Sequence, residues 1–354
     1  MGSDQILNRK RKPTDKGYAS VTVEKTTCQD ELHRGTLTKT TEIAGRVAEK
    51  VVLVTGGSGF IGAHLCERLM VCNAEVHVVS REPRSPKDGY LRWWHADLKD
   101  ISAVREVVQN VRPQIIFHLA SHVSGARELN LVVPTFYQNL ASTVHLLTVA
   151  TEVGCERIVL ACSSEEPQKW DDSTSPCSPY AAAKWASSTY GRMFSQLYQT
   201  PVVMPRIFMT YGPNQKDLQK LVPFVLCKLL RGEAPRLSSG RRRADWIYID
   251  DVVEGLLRAA VVPGLEGAAF DLGSGSLTSV REIVEQIVGI VGGPVEPVFN
   301  ALPDRPFEQE RAADTRFLQN KLGYKPLTSV KQGLKETVAW YRRQQSVTSL
   351  TVCK

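Results

Sequence analysis

The sequence has little of what would place a protein in a membrane, a secretory route or a fibrous assembly. In its 354 residues no apolar run approaches the roughly 18 residues that a membrane-spanning helix requires. The first residues contain no hydrophobic leader segment, and no internal repeat follows. With 42% hydrophobic and 23% charged residues, the composition excludes a disordered chain and a coiled coil. We therefore expect a globular, cytoplasmic protein without a membrane partner.

Patterns typical of metal sites and of hydrolases are missing as well. The eight cysteines include no C-x-x-C pair, and the seven histidines show no metal-ligand spacing. The G-x-S-x-G turn of serine hydrolases is also absent. Several cysteines lie inside apolar runs, which is typical of buried thiols in a reducing compartment. The sequence predicts neither a metal site nor a disulfide framework.

A large excess of one charge sign is lacking too. Lysine and arginine total 44, and aspartate and glutamate total 37, which leaves a net charge of +7. Residues 1–50 hold ten basic and seven acidic side chains, so almost half of the excess lies in this first stretch. Such a small excess, taken alone, allows an anionic ligand without requiring a nucleic acid, and we predict no nucleic-acid partner. The composition of residues 1–48 predicts a flexible N-terminal extension.

From residue 49 onward, predicted strands and helices alternate. The run Lys50-Val-Val-Leu-Val-Thr55 is typical of a buried strand. Further strands are predicted at 75–79, 114–118, 157–161 and 201–206, and helices at 60–72, 101–110 and 134–153. This alternation predicts a Rossmann-type, doubly wound α/β fold with a parallel sheet. We expect a first domain at 49–205, a smaller C-terminal substrate-binding lobe at 206–345, and a tail at 346–354.

The first predicted strand leads directly into a glycine turn, Gly-Gly-Ser-Gly-Phe-Ile-Gly, at residues 56–62. Three glycines spaced in this way, between a strand and a helix, are typical of turns that bind the pyrophosphate of a dinucleotide. The N-terminus of the helix adds a matching partial positive charge. The residues predicted to bind the cofactor here are Gly56, Gly59, Phe60, Ile61 and Gly62.

The residues after the second predicted strand favour one form of the cofactor. An acidic side chain at this position binds the ribose 2′-hydroxyl of NAD, whereas an arginine accommodates the 2′-phosphate of NADP. Here Ser80 and Arg81 follow the strand, and Arg84 lies close behind. The sequence therefore favours NADP over NAD. The alternative is that NAD is bound through its hydroxyls while Arg81 stacks on the adenine.

A catalytic group is predicted around the helix that begins at Ser178-Pro179. Tyr180 and Lys184 are four residues apart, so they share one face of this helix. A nearby ammonium favours the phenolate, which lets Tyr180 act as an acid/base on a substrate oxygen. Ser163, at the end of the preceding strand, is expected to hydrogen-bond the same oxygen.

Together these motifs make residues 50–343 resemble the extended short-chain dehydrogenases/reductases, the family of nucleotide-sugar epimerases and dehydratases. The further matching residues are Asp97-Leu98, His118-Leu119-Ala120-Ser121, Asn139, Pro205-Arg206, Tyr211-Gly-Pro213, the run 245–251 and Asp271-Leu-Gly-Ser-Gly275. The resemblance implies that the cofactor is also contacted by Ser80, Arg81, Asp97, Leu98, Leu119, Ala120, Ser121, Asn139, Tyr180 and Lys184.

The resemblance implies an enzyme that moves a hydride at C4 of a nucleotide-activated hexose, as a 4-epimerase or a 4-ketoreductase. One alternative is a 4,6-dehydratase, because Glu165 falls where family dehydratases carry the base that removes the C5 proton. An alternative of another class is a regulatory protein that binds the cofactor without turnover. It is suggested by residues 166–168, Glu-Pro-Gln, where the family often has Val-Tyr-Gly, and by Ala244, where the family often has arginine.

Arginines are expected to bind the substrate diphosphate, because guanidinium groups form paired hydrogen bonds with phosphate oxygens. The resemblance assigns Arg206 and Arg305 to the substrate half. The arginine missing at Ala244 could be replaced by Arg241, Arg242 or Arg243, and of these we name Arg243 as the substrate-binding residue. The expected partner is thus a small-molecule nucleotide sugar. The resemblance further implies a homodimer built from the helix at 134–153 and the helix that begins near Tyr180.

Overall fold

The buried β-branched run after residue 50 forms the first strand of a parallel sheet, as the sequence predicts. The computed structural model describes residues 37–84, 91–167, 175–305 and 309–347. A helix, α1 (Leu37–Val47), precedes strand β1 (Val51–Thr55). Ile43 and Val47 of this helix are buried in the core, so the last part of the predicted flexible extension is helical instead. Residues 1–36, the rest of that prediction, lie outside the described residues.

The remaining elements follow the predicted alternation of strands and helices. The strands are β2 (Glu75–Ser80), β3 (Leu91–His95), β4 (Ile115–His118), β5 (Arg157–Leu160), β6 (Cys162–Ser163), β7 (Val202–Ile207), β8 (Met209–Tyr211), β9 (Arg243–Tyr248), β10 (Ala269–Leu272) and β11 (Leu277–Ser279). The helices are α2 (Phe60–Val71), α3 (Ile101–Val111), α4 (Val132–Thr135), α5 (Ser142–Val153), α6 (Pro179–Tyr198), α7 (Leu221–Leu230), α8 (Ile249–Val261), α9 (Val280–Val291), α10 (Arg316–Asn320) and α11 (Val330–Val347).

The main sheet has the strand order β10-β7-β5-β4-β1-β2-β3, and β6 also pairs with β7. All of these strands run parallel. From β1 the chain builds outward to β3 and then crosses to β4 on the other side of β1, so the order reverses between β1 and β4. Ligands of doubly wound sheets bind in the crevice at such a reversal, outside the carboxyl ends of the strands. The predicted doubly wound α/β fold is confirmed.

Helices cover both faces of this sheet. Apolar side chains of α2, α7, α8, α9 and α11 form one buried cluster with β1, and those of α3, α5 and α6 form a second. A strand buried on both faces needs a nearly continuous apolar sequence, which explains why β1, β4 and β5 could be predicted. No helix in the described ranges combines the length and the apolar character that crossing a membrane would require.

Two parts of the fold differ from the predicted elements. A small second sheet has the order β11-β9-β8, with β8 and β9 parallel and β9 and β11 antiparallel. The helix predicted over 134–153 is interrupted, because Phe136–Ala141 form a π-helical turn between α4 and α5. Such turns have one residue more than an α-helical turn and often lie at functional sites. The division into two domains stays a prediction.

Candidate active site

The glycine turn lies at the carboxyl end of β1, where close packing fixes the residue type. Gly56 has a φ of +74°, and a Cβ there would lie 2.6 Å from the backbone nitrogen of Ala120. A Cβ on Gly62 would lie 2.1 Å from the carbonyl oxygen of Gly56, which no side chain permits. The turn therefore needs glycine at both positions in order to pack against the loop after β4 and against its own helix.

Gly59 has a different role in the same turn. Its φ of −79° is open to any residue, and a Cβ at this position would lie 3.2 Å from the Gly56 oxygen, its nearest neighbour. Gly59 is the N-cap of α2, and no side chain caps the first N–H groups of this helix. An anion close to these N–H groups would satisfy them. The turn thus fits a pyrophosphate, which would lie next to Gly59.

A chain of neutral hydrogen bonds joins this turn to the π-helical turn. The Ala120 N–H donates to the Thr55 hydroxyl (3.2 Å), which lies 2.7 Å from His118 Nδ1. On the other side, His118 Nε2 lies 3.0 Å from the Thr143 hydroxyl, which donates to the Asn139 carbonyl at 2.6 Å. Because Thr143 uses its proton on Asn139, His118 donates from Nε2 and accepts at Nδ1. Burial, and secondarily the charge of Lys184, lowers the pKa of His118 to about 3, so the imidazole is neutral.

The loop after β4 presents further polar groups to the crevice. Leu119 donates its N–H to the Thr55 carbonyl (3.1 Å), which ties the loop to β1. The Asn139 side chain accepts the His122 N–H at 2.7 Å and donates to its carbonyl at 3.1 Å. The Ser121 hydroxyl is buried and has no hydrogen-bond partner among the described residues. An unsatisfied buried hydroxyl beside the glycine turn is a group that a bound dinucleotide could pair, so the residues here fit that cofactor.

The ends of β2 and β3, which would face the adenosine half of the cofactor, lie at the same edge of the sheet as the glycine turn. Ser80, the last residue of β2, is buried and accepts the Glu82 N–H at 3.2 Å. Arg81 is exposed directly after it. The Arg84 guanidinium lies 5.0 Å from the ring centroid of Trp93 on β3. Arg81 is thus the cationic side chain that directly follows β2, while Arg84 stacks on its neighbour.

Asp97 and Leu98 follow β3 at this edge. The Asp97 carboxylate lies 3.1 Å from the Lys99 ammonium and accepts the Lys99 N–H at 3.0 Å. Burial raises the pKa of Asp97, but the hydrogen bonds and charge of Lys99 outweigh it, and the pKa lies below its ordinary value. Asp97 is therefore an ionised hydrogen-bond acceptor at neutral pH. Leu98 is partly buried against the apolar cluster of α3 and α5.

The predicted catalytic residues come together at the carboxyl ends of β5 and β6. Ser178 caps α6 by accepting the Ala181 N–H at 3.0 Å, and Pro179 is the first helical residue, as predicted. Tyr180 and Lys184 are buried on one face of α6, with the Lys184 nitrogen 6.0 Å from the Tyr180 ring centroid. The Ser163 hydroxyl is hydrogen-bonded to the Tyr180 hydroxyl and accepts the Glu165 N–H at 3.2 Å.

Burial dominates the protonation of this group. It raises the pKa of Tyr180 above its ordinary value, and the hydrogen bond with Ser163 acts in the opposite direction. Burial also lowers the pKa of Lys184, and the nearby Cys162 and Glu166 act in the opposite direction. The Lys184 ammonium donates to the Ala161 carbonyl at 2.7 Å, immediately before β6. Burial thus shifts both groups towards their neutral forms, and it makes the Tyr180 phenol harder to ionise at neutral pH.

Two glutamates follow Ser163, and the structure gives them different surroundings. The Glu165 carboxylate is half-buried, 3.5 Å from the Ser178 hydroxyl and 3.8 Å from the Cys177 thiol. Glu166 is buried, and its carboxylate accepts the Ser163 N–H at 2.9 Å. Glu165 is therefore the more exposed of the two carboxylates, and Glu166 is the buried one. Of residues 166–168, Gln168 lies outside the described residues.

The predicted substrate arginines are dispersed. Arg206 on β7 donates to buried Asp271 at 2.7 Å, and Arg243 pairs with Glu310 at 3.1 Å on the surface. Arg305 lies near the loop after β4, since a Cβ on Gly125 would be 3.2 Å from one of its guanidinium nitrogens. Of the three, Arg305 is the one whose guanidinium reaches this loop.

One arginine near the site was missed. Arg311 is partly buried, pairs with Asp271 and lies 3.5 Å from the Ser164 carbonyl, directly before the two glutamates. Its guanidinium also stacks 5.0 Å from the Phe208 ring centroid. Its partners are 40 and more residues away in the chain, so no local pattern predicts its place. Among the described residues no group of three or more potential metal ligands is found.

Comparisons with known proteins agree with this geometry. The model of the NAD dependent epimerase/dehydratase family matches residues 52–273. A UDP-glucose 4-epimerase from Mycolicibacterium smegmatis is 28% identical over 314 residues, covering 82% of this chain and 98% of the relative. A dTDP-D-glucose 4,6-dehydratase from Mus musculus is 27% identical over 319 residues, covering 83% of this chain and 89% of the relative.

A solved structure is similar over the same part of the chain. The UDP-glucose 4-epimerase of Thermotoga maritima, crystallised with UDP-glucose, has a TM-score of 0.75 and 26% identity, and the match covers 83% of this chain and 99% of that one. The family match spans more than half of the sequence and contains the glycine turn, Ser163, Tyr180 and Lys184. The chain therefore belongs to the NAD-dependent epimerase/dehydratase family of extended short-chain dehydrogenases/reductases, and it is an enzyme of nucleotide-sugar type.

Proposed function

We propose that this enzyme oxidises C4 of a nucleoside-diphosphate hexose and returns the hydride to the opposite face, acting as a 4-epimerase. The observation that carries the proposal is the hydrogen bond between the Ser163 and Tyr180 hydroxyls, with the Lys184 ammonium on the same buried face of α6. Two hydroxyls beside a cation can bind one substrate oxygen and take its proton. The neighbouring glycine turn would hold the pyrophosphate of the cofactor at the same edge of the sheet.

The chain's own residues supply orientation and proton transfer. Tyr180 removes the proton of the C4 hydroxyl and later returns it, while Ser163 donates a hydrogen bond to the same oxygen. When it is bound, the nicotinamide cofactor accepts and returns the hydride. Because burial and the neighbouring Glu165 and Glu166 raise the pKa of Tyr180, the positive charge of Lys184 is needed to favour the phenolate. Arg305 is proposed to bind the diphosphate.

The test is mass spectrometry of products formed from UDP-, dTDP-, GDP- and CDP-hexoses. An epimerase yields an isobaric product, a ketoreductase acting on a ketosugar adds two hydrogens, and a dehydratase removes one water. Tyr180→Phe should lower turnover by about a thousandfold and leave cofactor affinity nearly unchanged. Unchanged turnover in this variant would contradict the proposal. A chain that binds the cofactor but converts no sugar would support the regulatory alternative.

A second candidate, 4,6-dehydration, is favoured by the position of Glu165. Its carboxylate interacts electrostatically with Tyr180 and lies near Ser178, at the start of the catalytic helix. A carboxylate there could remove the C5 proton of a 4-ketosugar. If the enzyme is a dehydratase, Glu165→Gln should stop loss of water while the oxidation at C4, seen as reduced cofactor, still occurs. An epimerase would keep most of its activity in this variant.

We also propose that NADP is preferred over NAD. Support comes from exposed Arg81 directly after β2, with the Ser80 hydroxyl where a carboxylate would repel the 2′-phosphate. The experiment compares the affinities of NADP⁺ and NAD⁺ in the wild type and in Arg81→Ala. The substitution should weaken NADP⁺ about tenfold and change NAD⁺ little. Equal losses for both cofactors would mean that Arg81 stacks on the adenine instead.

A homodimer is proposed through an exposed apolar surface on two packed segments. Its members are Leu129, Val132, Val133, Phe136, Tyr137, Tyr190, Leu197 and Tyr198. Such a contiguous patch is typical of a protein interface. Sedimentation of the wild type and of Val133→Asp checks this, because a charge at the centre of the patch should give monomers.

The cytoplasm is proposed as the compartment, which agrees with the free thiols of the described cysteines.

A further inference from the structure

Glu166 holds the backbone of the catalytic serine on both sides. Its carboxylate accepts the Ser163 N–H at 2.9 Å, and its own N–H donates to the Ser163 carbonyl at 3.1 Å. The two residues thus close a tight loop directly after β6. The next residue, Ser164, donates its N–H to the Ile207 carbonyl at 3.1 Å. The position of the Ser163 hydroxyl therefore depends on a carboxylate three residues further along the chain.

The same carboxylate also reaches the catalytic helix. It lies beside the Ser188 hydroxyl, one turn after Lys184 on α6, and that hydroxyl donates to the Trp185 carbonyl at 3.0 Å. Ser188 is buried, as is Glu166, whose exposed fraction is 3%. A buried carboxylate is retained in proteins when hydrogen bonds and an opposite charge compensate its loss of hydration. Here a hydrogen bond comes from the Ser163 loop and opposite charges come from Lys184 and Arg206, while burial raises the pKa of Glu166 above its ordinary value. Glu166 thus lies between the two elements that carry the catalytic residues.

Charged groups surround this carboxylate from every element packed against it. Lys184 faces it from α6, Arg206 from β7 and Cys162 from β6. Tyr180 of α6 faces both Glu166 and Glu165, and His118 of β4 is neutral and faces Lys184. Lys184 and Arg206 are the two cations, and Arg206 is already paired with Asp271. Lys184 has a single hydrogen bond in the described structure, to the Ala161 carbonyl. Glu166 is thus the carboxylate available to balance the buried ammonium.

We propose that Glu166 is a positioning residue of the active site, which fixes Ser163 against the catalytic face of α6 and supplies the counter-charge of the Lys184 ammonium. This inference rests on the proposed function for its kinetic consequences. The valine that the family often carries at this position could do neither task. An electrostatic consequence follows, since the negative charge of Glu166 raises the pKa of both Lys184 and Tyr180.

The first test requires no substrate. A double-mutant cycle compares the melting temperatures of the wild type, Glu166→Gln, Lys184→Met and the double variant at neutral pH. If Glu166 and Lys184 balance each other, the double variant should lose several degrees less than the sum of the two single losses. Glu285→Gln, an exposed glutamate on α9, is the matched control and should show no coupling with Lys184→Met. Strict additivity for Glu166 would overturn its role as the counter-charge.

The second test measures kcat and KM against pH. In Glu166→Gln the amide oxygen can still accept the Ser163 N–H, so kcat should fall only about tenfold, with KM nearly unchanged. Both limbs of the kcat profile should move to lower pH, because Tyr180 and Lys184 both lose a negative neighbour. Glu166→Val also removes the acceptor and should lower kcat about a hundredfold. An unmoved profile, or equal losses in both variants, would reduce Glu166 to a structural residue.

A comparison with the neighbouring glutamate sharpens the second test. Glu165 and Glu166 both interact with Tyr180, whereas Glu166 is the glutamate that faces Lys184. Glu165→Gln should therefore move the limb set by Tyr180 and leave the limb set by Lys184 in place. If both glutamates moved both limbs equally, the specific link between Glu166 and Lys184 would be wrong. A wild type that converts no nucleotide hexose would defeat the proposed function, and the melting cycle would then decide the role of Glu166 alone.

Discussion

The cofactor side and the substrate side of the crevice are stabilised by different kinds of interaction. On the cofactor side, backbone N–H groups and neutral hydrogen bonds dominate, from the glycine turn at 56–62 to the chain between Thr55 and Asn139. On the substrate side, buried ion pairs dominate, with Arg206 and Arg311 both on Asp271. The first kind of site depends on close packing of the chain, and the second depends on charges that must remain paired. The two sides should therefore respond differently to mutation and to pH.

The largest expected effect is on the charged side. Asp271→Asn should lower the free energy of unfolding by about 4 kcal/mol, because it leaves two guanidinium groups without their negative partner. Urea denaturation measures this loss. Since Arg311 also lies near the Ser164 carbonyl, kcat should fall with stability. A loss under about 1 kcal/mol, the range of exposed pairs, would mean that water replaces the carboxylate.

A somewhat smaller effect is expected in the glycine turn. Gly62→Ala should destabilise the fold by about 3 kcal/mol, because its Cβ would overlap the Gly56 carbonyl, which is backbone and cannot turn away. Gly59→Ala should destabilise the fold much less, because its Cβ would lie 3.2 Å from the Gly56 oxygen, and it should lose cofactor affinity. Thermal melting and cofactor titration of the two variants separate packing from binding. Gly289→Ala on α9, where a Cβ meets nothing within 4 Å, is the control and should be neutral or slightly stabilising.

The neutral hydrogen-bond chain predicts an acid-sensitive cofactor side. The pKa of His118 is lowered to about 3 in the fold by burial, whereas an unfolded histidine titrates near 6.5. The unfolded state therefore binds more protons between these values, and the stability from His118 is lost as the pH falls through this window. Between pH 7 and pH 5 the wild type should lose about 2 kcal/mol more than His118→Asn. Equal acid sensitivity in both proteins would contradict a neutral, buried His118.

The smallest effect separates two arginines on the substrate side. Arg305→Ala should raise the KM for a nucleotide hexose about tenfold, as expected for loss of a charge-assisted hydrogen bond to phosphate. Arg243→Ala should change KM less than about twofold, because Arg243 is exposed and paired with Glu310. Steady-state kinetics of the two variants decide between them. A larger increase of KM in Arg243→Ala than in Arg305→Ala would instead assign the diphosphate to Arg243.

The contrast between the two sides also explains what the sequence could predict. The glycine spacing, the buried strands and the Ser178-Pro179 helix start are local patterns, and the structure contains each of them. Strand β3 was missed because its residues alternate between exposed and partly buried at the edge of the sheet. An edge strand of this kind lacks the continuous apolar run by which the central strands could be recognised.

Side-chain pairing could not be predicted for a related reason. Arg311 meets Asp271 across 40 residues, and Arg243 meets Glu310 across 67. Such partners are brought together only by the complete fold, so the sequence identified arginines without showing which were already paired. Glu166 was recognised as a departure from the family pattern, but its contact with Ser188 on α6 gave no signal in the sequence.

Because Phe136–Ala141 form a π-helical turn, the number of residues in this turn fixes the orientation of the preceding helix α4 relative to α5. An α-helix turns about 100° per residue, so removing one residue here would rotate everything before the turn by about that angle relative to α5. The exposed Val132 and Val133 would then face another direction, and Asn139 would lose its place opposite His122. A single-residue deletion could thus separate the proposed dimer surface from the cofactor loop without altering any side chain in either.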